Sequence, residues 1–131
     1  MRTITDHVVD GDSANHQLTI TVTDEPGAGG ANHEYEIGWR GPDFNGQAGT
    51  GEIFGCRIGF QNGPIKEVGV NGVTQEALIA ICMDRLKSFQ AGPYACEDNE
   101  VALGHLVMAL AFMQKRTRAR IARGVEGTHA K

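Results

Sequence analysis

Cysteine is scarce in this chain, with only Cys56, Cys82 and Cys96 among 131 residues and no pair in CxxC spacing. That excludes a disulfide framework and a zinc ribbon, and the expectation is free thiols in a reducing cytoplasm. The five histidines, His7, His16, His33, His105 and His129, are scattered without ligand spacing, so no metal site is expected. Long hydrophobic runs are missing as well. No stretch approaches the roughly 18 apolar residues of a membrane helix, and residues 1–12 alternate polar and apolar without the core of a secretory leader. An overall excess of positive charge is also lacking. The net charge of −4 argues against a general nucleic-acid binder and leaves a long nucleic acid an unexpected partner. There is no Walker loop, no strand–GxGxxG–helix element and no Ser/His/Asp or Cys/His motif, so no catalytic residue or cofactor is assigned. His105 falls mid-helix beside Leu106, where a packed or interfacial role is the simpler expectation.

Glycine is plentiful and unevenly placed. Most of the 18 glycines lie between Gly11 and Gly72, and only Gly92, Gly104, Gly124 and Gly127 lie beyond. Because glycine disfavours helix and punctuates strands and turns, the chain divides into a turn-rich first part and a helical second part. Residues 17–23 alternate Leu18, Ile20 and Val22 with threonines, which reads as a half-buried strand. Residues 34–39 alternate Tyr35, Ile37 and Trp39 with Glu34, Glu36 and Gly38, giving its hairpin partner. In 53–60, Phe54, Cys56, Ile58 and Phe60 share one face, while Gly55, Arg57 and Gly59 form a second that something should approach closely. Asn62-Gly63 signals a hairpin turn, and residues 65–70 are expected to pair back as a short extended piece.

The period changes after Asn71-Gly72. Thr74 can cap a helix carrying Leu78, Ile81, Cys82, Leu86 and Phe89 at three- and four-residue steps. A break at 90–94 precedes a second helix that starts near Cys96 to Asn99, with Asn99 a good N-cap and Glu97, Asp98 and Glu100 crowding its positive end. It runs through Leu103, Leu106, Leu110 and Met113 to about Arg123, where Gly124 is a suitable stop. The fold expected is α+β: a small antiparallel N-terminal β-sheet followed by a C-terminal antiparallel two-helix hairpin. Residues 1–73 form the Gly-rich β region and residues 74–131 the hairpin, expected by length to be parts of one compact domain. Both helices are apolar over more surface than one partner helix covers, which favours self-association.

One cluster stands out chemically. Lys115, Arg116, Arg118, Arg120 and Arg123 supply five of the twelve Lys and Arg residues within nine positions that contain no acid. On a helix Arg116, Arg120 and Arg123 share a face, and guanidinium groups match phosphate oxygens with paired donors. The same cations would also complement the negative end of the helix dipole, which is the blander explanation. Three arginines in one stripe on an otherwise acidic chain tilt the balance towards a phosphate clamp. Asn99 and Arg116 lie about 25 Å apart along a helix, so they meet around one small ligand only across two antiparallel copies.

Three strings carry a resemblance: residues 60–78, residues 95–103 and residues 116–128. Together they resemble the phage Thoeris anti-defence protein 1 family, which shares its helical hairpin with phage anti-CBASS cyclic-nucleotide sponges. The resemblance implies a non-enzymatic protein of the infected bacterial cytoplasm. Such a protein sequesters glycocyclic ADP-ribose made by TIR proteins, in a pocket between subunits of a dimer or hexamer. Matching positions are Phe89 for stacking, Asn99 for a polar contact, and Arg116 and Arg120 for phosphates. Arg123, Arg57 and Lys66 are weaker candidates, the last two for separate pockets taking cyclic di- or trinucleotides. Two alternatives stay open: a small phage protein that touches nucleic-acid phosphates through the Arg helix, and an enzyme that degrades the signal.

Overall fold

The computed structural model describes all 131 residues and divides into two compact units, Met1–Asn62 and Gly63–Lys131. The first is a four-stranded antiparallel sheet in the order β1-β2-β3-β4, with β1 at Arg2–Ile4, β2 at Thr19–Val22, β3 at Glu34–Arg40 and β4 at Ile53–Gly59. β1 was not among the expected strands. Three residues are too few for alternation to register, and their strand character comes from pairing Thr3 with Thr21 and Ile4 with Ile20.

Register sorts the sheet into two faces, since residues directly opposite one another point the same way. Ile20, Ile37 and Cys56 align across one face, as do Val22, Tyr35 and Ile58. Val22, at 1% exposure, is the one apolar side chain of the chain that is fully buried. Tyr35 meets Phe60 edge-on at 5.6 Å, and Trp39 stacks on its cross-strand partner Phe54 at 6.2 Å. The other face carries Thr19, Gly38 and Gly55 in one row and Thr21, Glu36 and Arg57 in the next. The β3–β4 connection includes a turn in which the Asp43 carboxylate accepts the Asn45 and Gln47 N–H groups at 2.9 and 2.8 Å.

Two expectations near the unit boundary fail. Residues 65–70 do not pair back as strand. Ile65–Val68 instead form a single helical turn, α1, set up by the Pro64 carbonyl, which accepts from Glu67 and Val68 N–H at 3.0 and 2.9 Å. Gly69 at φ +74° ends it. Asn62-Gly63 accordingly makes no hairpin turn; the Asn62 side-chain oxygen accepts the Ala28 N–H at 3.2 Å and so ties β4's exit to an earlier loop.

The second unit is dominated by α2, Gln75–Gln90, packed against α3, Glu97–Ala122. The Thr74 hydroxyl caps α2 as expected, accepting the Ala77 N–H at 3.1 Å. Ile79, Met83 and Leu86 of α2 and Leu103, Leu106, Leu110 and Met113 of α3 are half-buried, marking the seam. Neither helix has a fully buried residue. Ile81, Val101, Met108 and Phe112 are 58%, 53%, 55% and 62% exposed. No helix is long and apolar enough to cross a membrane.

Candidate functional site

α3 starts at the early end of the expected range, and Asn99 does not cap it. Its N-cap is Cys96, without a side-chain cap, and Asn99 lies three residues further on inside the helix. The capping work has moved to the preceding helix. The Gln90 amide donates to the Cys96 carbonyl and accepts the Cys96 N–H, both at 3.0 Å, clamping the α2–α3 loop. This leaves the Asn99 side chain, half-buried on the seam, without a capping duty. Glu97, Asp98 and Glu100 sit in the first turn, where the helix dipole favours them.

Phe89 ends the exposed face of α2 and is 41% exposed. The Arg85 guanidinium lies 5.6 Å from its ring centroid, a cation–π pairing at i, i+4 spacing. Arg85 carries no motif in the sequence, and its four-residue spacing to an aromatic is the one signal of this contact. The loop end of the hairpin therefore presents an aromatic face, a cation beside it and an amide.

The opposite end holds the arginines. α3 stops in a Schellman motif: Gly124, at φ +71°, donates to Ile121 O and Val125 donates to Arg120 O, both at 3.0 Å. Arg116 is exposed and makes no hydrogen bond or ion pair, so its whole guanidinium is open to an anion. Arg120 is differently placed. Its Nη2 donates to the Val125 and Thr128 carbonyls at 3.0 and 3.1 Å, and its Nη1 to the Ala130 carbonyl at 2.5 Å. Arg123 donates to the Lys131 carbonyl. Lys115 sits 5.8 Å from the Phe112 ring centroid. Residues 125–128 stand in the sequence only as the end of a resembling string, although Gly124, Gly127 and Thr128 are the turn formers that let the chain fold back.

Phe89 and Asn99 thus lie near one end of the hairpin, and Arg116 and Arg120 near the other. The 26-residue α3 is continuous, and the 17 residues from Asn99 to Arg116 span about 25 Å. One chain does not gather the four residues around one small ligand. The two remaining candidates are elsewhere. Arg57 pairs with Glu36 at 2.8 Å across β3 and β4, and that hydrogen-bonded carboxylate holds the Arg57 pKa above its ordinary value. It edges an open concavity of about 1000 Å³ over the Gly38–Gly55 row, with Thr19, Thr21 and Arg40 around it. Lys66 belongs to α1, where its N–H donates to the Gly127 carbonyl at 3.1 Å.

Fold and site together define a class: a small α+β protein whose helical hairpin carries an aromatic–amide end and a cationic end. Residues 52–118 match the family described as "Acb2/Tad1, hairpin domain". The chain belongs to that family. It is also similar to the protein "Thoeris anti-defense 1" of Bacillus phage SBSphiJ7, at 44% identity over 89 residues. That similarity covers 68% of this chain and 58% of the relative, so the chain spans less than two thirds of the relative's length.

Proposed function

We propose that this protein is a phage anti-defence factor that binds glycocyclic ADP-ribose and withholds it, uncleaved, in the cytoplasm of the infected bacterium. The observation that carries this is the separation of an aromatic–amide end from a cationic end along one hairpin. Antiparallel docking of two copies brings Phe89 and Asn99 of one beside Arg116 and Arg120 of the other. The ring stacks on a base, the amide reads a polar edge, and the guanidinium groups take the phosphates. The apolar side chains left exposed on α2 and α3, Ile81, Met108 and Phe112 among them, supply the docking surface. Arg123 flanks the phosphates, and Arg57 and Lys66 belong to pockets for cyclic di- or trinucleotides in a dimer or hexamer. Membership of the hairpin family and the name of the phage relative support the same role.

Incubation with glycocyclic ADP-ribose, removal of free nucleotide and heat denaturation test it. Stoichiometric release of intact nucleotide is expected. Recovery of an altered nucleotide means an enzyme. Absence of bound nucleotide, together with a salt-dependent shift of duplex DNA, means a phosphate-backbone binder.

A further inference from the structure

Arg120 is the one member of the cationic stripe whose forks are closed. A guanidinium grips phosphate with two parallel N–H groups, from Nε with Nη2 or from Nη1 with Nη2. Nη2 belongs to both edges, and its two hydrogens are taken by the carbonyls of Val125 at 3.0 Å and Thr128 at 3.1 Å. Nη1 is turned to Ala130 O at 2.5 Å. The segment making these bonds has its own internal order. Thr128 N–H and Oγ1–H both reach Val125 O, at 3.1 and 2.5 Å, and Ala130 N–H donates back to Thr128 Oγ1 at 3.3 Å. Its flanks are tied down by Lys66 N–H to Gly127 O at 3.1 Å and by His129 to the Glu67 carboxylate at 2.9 Å.

We propose that residues 125–130 are an internal stand-in for phosphate: their carbonyl oxygens hold the Arg120 fork and give way when ligand arrives. This rests on Arg120 being a phosphate contact, as in the function proposed above. Neutral carbonyls bond a guanidinium less strongly than charged phosphate oxygens do, so a phosphorylated ligand displaces them. Arg116, already open, makes the first contact, and Arg120 follows once the segment lifts. While the segment is down the binding-competent fraction is reduced, and the apparent affinity falls by that fraction.

The test compares the full chain, a chain ended after Gly127 and Thr128→Ala, by calorimetric titration with glycocyclic ADP-ribose. Ending the chain there removes two of the three acceptors on Arg120 and keeps the helix stop, while Thr128→Ala only loosens the turn. A competent fraction of about one tenth predicts roughly 10-fold tighter binding for the shortened chain. Thr128→Ala should show a smaller gain in the same direction. Equal or weaker binding by the shortened chain overturns the proposal, weaker binding meaning that the carbonyls orient Arg120 for the ligand. Inorganic pyrophosphate is the second probe. It should bind the shortened chain more tightly, and Arg120→Ala in that background should erase the gain. If the nucleotide binds no variant while pyrophosphate shows the gain, the sequestration function fails and the clip stands. If pyrophosphate shows no gain, the clip falls.

Discussion

At the scale of single residues, the arginines divide by what already occupies them. Arg116 has no partner, so Arg116→Ala is expected to leave helix content and melting temperature unchanged while weakening nucleotide binding at least 10-fold. A charge-assisted hydrogen bond contributes about 1.5–3 kcal/mol, and circular dichroism with calorimetry reads both quantities. Carboxylates in the first unit set a pH window. Asp12 is held below the ordinary carboxylate range by the Asn15 side chain, then by the Asn15 and Ala14 N–H groups. Asp43 is lowered chiefly by the Gln47 N–H. A folded pKa below the unfolded value of about 3.9 means that the stabilisation is complete above that value. It is lost as pH falls through the folded pKa. Amide exchange at Asn15 and Gln47, corrected for intrinsic rates, should therefore be flat down to about pH 5 and lose protection below about pH 4.

At the scale of elements, what announced itself locally was legible. β2, β3 and β4 follow from apolar alternation, and α2 from Thr74 with its three- and four-residue steps. The misplaced features are too short to show a period or depend on a partner outside their own element. α1 is one turn long, too short for a period, and β1 is strand only because β2 is beside it. Asn99 has good N-cap chemistry, but Gln90 from the previous helix clamps the loop at Cys96, which takes the N-cap position at the early end of the expected range. The cationic stripe was visible as composition and the turn formers after it as residues, but not the contact of that segment with Arg120, because carbonyl acceptors carry no residue signature. The glycine stop of α3 is testable directly. Gly124→Ala places a Cβ at φ +71° and should cost about 1 kcal/mol, lowering the melting temperature by a few degrees without altering α2.

At the scale of the whole molecule, the exposed apolar residues of the hairpin are the feature that a solitary chain leaves unexplained. Phe112 is 62% exposed on α3, one turn before Arg116. If the proposed assembly forms, Phe112→Glu should leave a monomer in light scattering and abolish nucleotide binding with Phe89, Asn99, Arg116 and Arg120 intact. A monomer that still binds would place the pocket within one chain. The unbroken helix from Asn99 to Arg116 also bears on how such proteins can drift apart over generations. Each residue gained or lost between those positions turns everything downstream by about 100° and moves it about 1.5 Å. A single deletion would swing Arg116 off its face and, in the proposed assembly, out of phase with a neighbouring copy's ring. Point changes should accumulate freely on the outer positions of that stretch, while its length stays fixed. Variation in chain length should be confined to the loops of the first unit and to the segment after Gly124.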